Sequence, residues 1–490
     1  MDIIFDYVMM TWKWLMQHSL LINSILAFVI VFLERRDPKA VWAWLLLLYS
    51  IPVAGFVLYL ILGQNMHKRN IFRVKEVEDA INIATKKQEN RIINHEFKIS
   101  EDGFSEYQEQ VLFNLENSNS IYSENNSIRI FTTGKEKFGA VLEEIRKAKK
   151  YIHIQYYILS DGELLDKLVD ELVKKARQGV EVRILYDSMG ARHFGHRNKR
   201  KLKLAGVKLG EFFPAYLGCF QFRINYRNHR KIVVIDGKKA FLGGFNVADE
   251  YIGKVKKFGN WRDTHMLFEG EVVNDIHLRF MQDWNYTTKE ALFMDEKYFE
   301  FNQPKKKNKI GMQIVSSGPD SKGQEIRDNY LKMITKAKER IYIQTPYFIP
   351  DEPVMTSLKI AAASGIDVRV MIPCKPDHPF VYWATYSYAG DLIKAGGRVY
   401  CYDEGFLHAK GMIVDGMVCS YGTANMDVRS FSLNFEINAI IYDTDTACQF
   451  ERIFLNDMTI STEITRLDYD MRNIIIRIKE QISRLLMPIL

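Results

Sequence analysis

His229-Arg-Lys231-Ile-Val-Val-Ile-Asp236-Gly237 and His408-Ala-Lys410-Gly-Met-Ile-Val-Asp415-Gly416 share one pattern, His-x-Lys followed after four intervening residues by Asp-Gly. After six intervening residues each Asp is followed by a second shared element, Gly243-Gly244-Phe245-Asn246 in the first copy and Gly422-Thr423-Ala424-Asn425 in the second. Moving outward, KAKKYIHIQYYIL (147–159) matches KAKERIYIQTPYFI (336–349), and GVEVRILYD (179–187) matches GIDVRVMIP (365–373). The three pairs are offset by 189, 186 and 179 residues, so their order is kept and only loop lengths drift. Each copy reads as helix, buried strand, helix, buried strand and strand pair. Short β-branched runs alternating with amphipathic helices such as LLDKLVDELVKKARQG predict an α/β architecture of two homologous halves. The expected bounds are 128–300 and 301–490, joined near Pro304-Lys-Lys-Lys307.

The rest of the chain is of a different kind. Trp14–Leu33 runs 20 residues and Ala40–Gly63 runs 24 without Asp, Glu, Lys or Arg, around the charged loop Glu34-Arg-Arg-Asp-Pro-Lys39. A hydrocarbon core of roughly 30 Å needs about 20 helical residues. Residues 1–66 therefore read as a two-helix transmembrane hairpin, spans about 14–33 and 40–63, with Trp12, Trp14, Trp42, Trp44 and Tyr59 near the interfaces. A re-entrant or interfacial hairpin is the alternative. Asp2, Asp6 and the absence of a small-residue cleavage site argue against a cleaved signal peptide. Two spans leave the N-terminus and the large C-terminal region on one side. Lys13, Lys68, Arg69, Arg73 and Lys75 outnumber Arg35, Arg36 and Lys39, a weak lean toward a cytoplasmic catalytic region in a multi-pass protein of the cell membrane. Residues 67–127 read as a polar connector, helix-like around Val74–Ile93.

Composition bounds the function. The 490 residues are 47% hydrophobic and 26% charged, which excludes a disordered polymer. Net charge is 67 − 60 = +7, too small a surplus to mark a nucleic-acid binder but suited to meeting anions. Five cysteines without a CxxC pair give neither a disulfide framework nor a zinc site.

Chemistry concentrates in the duplicated motif. Residues i and i+2 of a strand share a face, so His229 and Lys231 point one way, as do His408 and Lys410. Asp236 and Asp415 fall on the opposite parity and, beside Gly237 and Gly416, read first as turn-forming or structural residues of the motif. The returning strand could bring Asn246 and Asn425 beside the imidazoles. Two imidazoles can divide the work of a nucleophile and a general acid–base, while two Lys and two Asn hold the non-bridging oxygens of a phosphodiester. No metal-ligand cluster or phosphate-binding glycine loop stands beside them, so neither metal nor other cofactor is expected.

This doubled pattern resembles the phospholipase D superfamily, whose members carry two His-x-Lys-x4-Asp motifs or one per subunit of a dimer. Arg227-Asn-His-Arg-Lys231, Trp261-Arg-Asp-Thr-His265, Gln344-Thr-Pro-Tyr-Phe348, Gly405-Phe-Leu-His-Ala-Lys410 and Asn425-Met-Asp-Val-Arg-Ser-Phe-Ser-Leu-Asn-Phe-Glu436, with the N-terminal hairpin, narrow the resemblance to its bacterial cardiolipin synthase family over essentially the whole chain. The resemblance implies two halves sharing one active site, with His229, Lys231, Asp236, His408, Lys410 and Asp415 as the catalytic motif residues. It also implies that Asp263 and Glu436 orient the histidines and that Asn246 and Asn425 bind phosphate. The implied reaction joins two phosphatidylglycerol molecules into cardiolipin and glycerol through a phosphatidyl-histidine, with His229 attacking and His408 protonating. Membrane phospholipids are then the partners, nucleic acid is not, and an oligomer is left open. Hydrolytic phospholipase D activity or transfer to another alcohol is the alternative, and a membrane-tethered nuclease a remote one.

Two weaker signals remain. Arg192, His193, His196, Arg197, Lys199, Arg200, Lys201 and Lys203 form a basic stretch that either attracts anionic headgroups or is an ordinary solvated loop. Met471–Leu490 spaces Ile474, Ile475, Ile478, Ile482, Leu485 and Leu486 as a basic amphipathic helix. Packing of its apolar face on its own domain is the favoured expectation, lying on a membrane the other.

Overall fold

The computed structural model describes residues 2–33, 38–62, 84–90, 92–94, 107–214, 225–292, 295–298, 310–321 and 323–486. The expected linker at 304–307 and the 74–83 part of the helix-like stretch lie outside them.

The sequence repeat becomes a repeat of topology. One sheet runs, in spatial order, Asn126–Phe131, His265–Gly270, Lys239–Gly243, Ile232–Ile235, Tyr151–Tyr156, Glu181–Asp187 and Lys208–Phe212. The other places Gly311–Ser317, Asn434–Tyr442, Val418–Gly422, Gly411–Val414, Arg340–Gln344, Asp367–Pro373 and Arg398–Tyr402 in the same order, with Tyr122–Ser123 and Ser461–Ile464 added at its edges. The strands after each helix are parallel and the hairpin strands antiparallel, as crossover helices and tight turns respectively require.

Three hydrophobic cores layer the two halves, and among the described residues a small fourth cluster of Ile30, Trp44, Leu48 and Tyr59 joins the N-terminal arms. The helices Gly134–Lys147 and Glu163–Arg177 cover the outer face of the first sheet. Their counterparts Glu325–Lys336 and Glu352–Ala363 cover the second. Between the sheets, Val272–Thr288 and Thr444–Thr459 contribute Phe280, Trp284, Phe450 and Phe454 to one core shared by both halves. Buried strands on both faces explain their near-continuous apolar runs. Part of the stretch read as a connector is built into the second half: helix Gln108–Ser118 buries Val111 and Leu115 against Val315 and Ile326, and Tyr122–Ser123 pairs with Gly311–Ser317. The basic stretch forms a helix, His196–Leu204, with Asn198 and Leu202 turned inward.

The two apolar N-terminal runs depart from uninterrupted spans. The first helix, Asp2–Phe28, gives way to a π turn at Val29–Leu33. The second run is two helices, Pro38–Ser50 and Pro52–Leu62. Pro52 has no N–H to give the Leu48 carbonyl four residues back, so the ladder breaks there. Asn23, buried between the arms, donates its Nδ2–H to that carbonyl at 2.7 Å and to the Pro52 carbonyl at 3.1 Å. Among the described residues no helix is long and apolar enough to cross a membrane.

The C-terminal helix, Ile474–Leu486, corrects the favoured expectation for it. Its polar side faces inward, with Glu480 and Ser483 buried, while Ile474, Ile475, Ile478 and Ile482 are exposed. Arg472 makes the difference: its guanidinium holds Glu480 at 2.6 and 3.0 Å and lies 3.6 Å over the Tyr469 ring. A paired buried carboxylate costs less than a lone one, so this side stays down.

Candidate active site

Both motif histidines lie at an exchange between the halves. Arg227–Asn228 pairs in parallel with Asn434–Phe435, and Gly405–Leu407 pairs in parallel with Asn260–Arg262. The exchange continues into the histidines themselves: His229 N–H donates to the Phe435 carbonyl at 3.0 Å and His408 N–H to the Arg262 carbonyl at 2.7 Å. Each half thus sends its histidine to an acid on the other. His229 Nδ1 stands 2.9 and 3.0 Å from the Glu436 carboxylate oxygens, and His408 Nδ1 2.6 Å from Asp263 Oδ2. Where Nδ1–H is donated to the carboxylate, Nε2 keeps the lone pair; at His408 the Lys410 Nζ also stands 2.8 Å from Nδ1. The rings retain slight exposure, whereas Lys231, Lys410, Asp263 and Glu436 have almost none.

The electrostatics follow from that burial. Desolvation lowers both imidazoles, which their carboxylates only partly offset. Lys231 pushes His229 further down, and Lys410 helps bring His408 to about 4. Burial likewise takes Lys231 well below the usual ammonium range and Lys410 down to about 8, against the pull of the site acids. Burial alone would raise Asp263 and Glu436, but the adjoining imidazoles and ammonium groups outweigh it and hold both below the ordinary carboxylate range. Lys410 acts on His229 and Lys231 on His408, so the two motifs form one electrostatic site. Two buried lysines beside neutral imidazoles are suited to receive an anion that can be attacked.

The remaining motif residues are placed differently. Asp236 and Asp415 sit at the far ends of their strands, in turns where each has positive φ (52° and 54°), followed by glycines at 65° and 66°. The Asp236 carboxylate accepts the N–H groups of Lys149, Lys150 and Tyr151 at 2.7–2.9 Å. Asp415 does the same for Lys338, Glu339 and Arg340 at 2.8–2.9 Å. Asn246 is engaged on both sides, accepting from Ile158 N–H at 3.1 Å and donating to the Tyr251 hydroxyl at 2.8 Å. Asn425 Oδ1 is buried and has no partner among the described residues.

The Gly-Gly versus Gly-Thr difference has a geometric cause. A Cβ at Gly244 would fall 1.9 Å from Asp263 Oδ1. At the matching place the Thr423 hydroxyl accepts from the Ile437 N–H at 2.9 Å and donates to the Ile437 carbonyl at 3.2 Å.

Sequence reasoning missed the groups that buttress the exchange. Arg230 binds Asp283 at 2.6 and 2.7 Å and also donates to the Glu436 and Ser317 carbonyls, strapping half to half. Arg262 meets Asp457 at 2.9 and 3.1 Å. Gln155 and Gln344 donate to the same two aspartates at 2.6 and 2.7 Å. A further repeat signals these acids, Phe280-Met-Gln-Asp283 and Phe454-Leu-Asn-Asp457. Tyr157 and Trp261 pack against His229 and His408, with ring centroids at 5.0 and 5.3 Å. Among the described residues no group of three or more His, Cys, Asp or Glu could hold a metal.

The chain is similar to known proteins along nearly its whole length. A family model described as "Cardiolipin synthase, PLD-like domain" matches residues 141–284 and 330–458, and one described as "Phospholipase D-nuclease N-terminal" matches residues 21–64. A protein of Oceanobacillus iheyensis named cardiolipin synthase is 48% identical over 473 residues, 96% of this chain and 98% of its own. Cardiolipin synthase 2 of Staphylococcus epidermidis is 46% identical over 478 residues, covering 97% and 98%, and a Staphylococcus aureus cardiolipin synthase is 46% identical over 475 residues, covering 96% of each chain. The crystal structure of a Haemophilus influenzae phosphatidylserine synthase superposes with a TM-score of 0.59 over 77% of this chain and 96% of that one, at 16% identity, a likeness of fold.

Proposed function

The chain belongs to the cardiolipin synthase family of the phospholipase D superfamily, and from that membership we propose that it is the phosphatidyltransferase condensing two phosphatidylglycerol molecules into cardiolipin and glycerol. The observation that carries this reading is the pair of neutral imidazoles, each held at Nδ1 by a carboxylate of the opposite half. His229 Nε2 attacks the phosphorus of one phosphatidylglycerol, and the bond from phosphorus to the glycerol headgroup oxygen breaks. His408 gives that oxygen its proton, and glycerol leaves. A second phosphatidylglycerol then enters, His408 Nε2 takes the proton of its terminal hydroxyl, and the alkoxide attacks phosphorus. The phosphorus–nitrogen bond breaks, and cardiolipin forms with His229 restored.

The free site holds His408 near 4, so the ring takes up its proton from solvent as the anionic donor lipid binds. A phosphodiester anion beside the ring favours imidazolium, and Lys231 and Lys410 hold the non-bridging oxygens as charge grows in the transition state. Asn425 lines the phosphate, while Asn246, tied to the Ile158 N–H and the Tyr251 hydroxyl, supports the site from behind. Asp236 and Asp415 act at one remove, fixing the turn that sets each strand.

The N-terminal hairpin is the membrane anchor in this reading. Leu20, Leu21, Ile25, Phe32, Trp42 and Leu46 face outward, an unfavourable display in water and a natural one in lipid. Asn23 satisfies the carbonyl that Pro52 frees, which a hydrocarbon setting demands.

Product analysis tests the reaction. Given phosphatidylglycerol labelled in its headgroup, the purified protein releases one glycerol per cardiolipin. Phosphatidic acid as the sole lipid product would instead mean hydrolysis.

A further inference from the structure

We propose that the C-terminal helix Ile474–Leu486, with the start of helix Pro379–Lys394 beside it, is a second membrane-docking surface that seats the catalytic halves on an anionic bilayer. It rests on the phospholipid reading above for its purpose, and on the helix's own geometry for its existence. Ile474, Ile475, Ile478, Ile482 and Leu485 occupy one arc of the helix and are each 49–74% exposed. A helix packed for stability alone would turn that arc inward. Here the opposite arc is fixed instead. Glu480 is fully buried in the grip of Arg472, and the Tyr469 hydroxyl reaches it at 3.3 Å. Tyr469 in turn fills the space over Gly390, where a Cβ would meet its ring at 1.8 Å. The outward display is therefore built in by specific polar contacts.

Charge says what covers the face. On a 100° wheel Arg477 lies along one margin of the apolar arc and Lys479 along the other, both exposed. Long cationic side chains flanking an apolar strip suit a helix lying in the plane of a headgroup layer, with the stems along the acyl boundary and the charges among phosphates. A second protein surface of ordinary composition would need acidic groups at both margins to match.

The position suits the reaction. Lys479 stands 5.1 Å over Trp383, and Arg484 meets Asp391 at 2.9 Å, so the two helices run parallel. Their N-terminal ends lie together, where Phe380 adds another half-exposed ring. Phe380 follows Asp377, whose carboxylate takes the Tyr347 hydroxyl and acts on Lys410 of the site. The docking face thus begins on the side of the second half where Asp377 is close enough for its charge to act on Lys410.

A benzophenone side chain at position 478 of the full chain tests this directly. On vesicles of phosphatidylcholine with added phosphatidylglycerol, irradiation should yield protein–lipid adducts, while the same group at Lys149, at the far turn, should give none. Adducts to a second copy of the chain, or no adducts, would overturn the proposal. In parallel, the Ile478→Gln/Ile482→Gln pair, exposed and so without effect on the melting temperature, should raise the apparent KM for vesicle-borne phosphatidylglycerol on the order of tenfold at constant kcat. An unchanged KM would equally overturn it. Lipid adducts without any cardiolipin formed would leave the docking surface standing and remove the catalytic reading.

Discussion

Replacing Glu436 by Gln probes the crossed arrangement at its most sensitive bond. The substitution keeps the shape of the side chain and removes one charge from a group with no solvent exposure. Two effects follow. The charge-assisted contact to His229, at 2.9 and 3.0 Å, becomes a neutral one. Such contacts are worth about 1.5–3 kcal/mol, against about 1 for a neutral bond. At about 1.4 kcal/mol per tenfold, that difference alone slows attack by up to roughly 30-fold. The second effect concerns the proton. An amide can present N–H to Nδ1, which drives the imidazole proton onto Nε2, the nitrogen that must attack. Wrong-tautomer penalties of this sort approach about 10⁴. The expected loss in formation of the phosphatidyl-enzyme is therefore on the order of 10²–10⁴, read as the single-turnover rate of glycerol release. The melting temperature is taken alongside, because Asn434 also donates to Glu436 at 3.3 Å. Glu436→Gln with a rate within about threefold of wild type and an unchanged melting temperature would refute the reasoning, since orienting a general base or nucleophile should be worth far more.

Other consequences follow from the same geometry. Asp236→Ala and Asp415→Ala each leave three backbone N–H groups without their acceptor, so each should lower unfolding free energy by about 1–3 kcal/mol while the folded fraction keeps its turnover, measured by denaturant titration beside activity. Gly244→Ala drives a methyl into Asp263 and should displace His408, cutting transfer on the order of a hundredfold, whereas Thr423→Ser, keeping the hydroxyl, should be nearly silent in the same assay. Lys410 is charged below about 8 and neutral above it, so kcat/KM should fall as pH rises through about 8, and Lys410→Arg should remove that alkaline limb even if its maximum is lower.

Much of this was legible in the chain because it is duplicated. A single His-x-Lys says little, but two copies at matched spacing, each trailed by Gly-x-x-Asn, mark strands, turns and a paired site together. Strand parity placed Asp236 and Asp415 away from the imidazoles, and their carboxylates do sit on backbone N–H groups at the turns. What the sequence hid was non-local. No local pattern says that Asp263 serves His408 and Glu436 serves His229, because that pairing depends on parallel exchange strands from opposite halves. The Arg230–Asp283 and Arg262–Asp457 contacts were hidden for the same reason, although the repeated Phe-x-x-Asp could have pointed to the acids. Hydropathy of the second N-terminal run also overlooked the backbone, since one missing N–H at Pro52 divides it. The C-terminal helix was misjudged because periodicity shows that a helix has two faces but not which is turned inward. That choice was made by Arg472, eight residues before Glu480.

The most direct test of the crossed two-histidine site is to look for its covalent intermediate. The His408→Ala variant is mixed with phosphatidylglycerol bearing an activated headgroup that leaves without acid help, quenched, and digested for mass spectrometry. A phosphatidyl adduct on the peptide carrying His229, absent from the His229→Ala variant, is the expected result. An adduct on any other residue, or cardiolipin made at the wild-type rate by either variant, would contradict it.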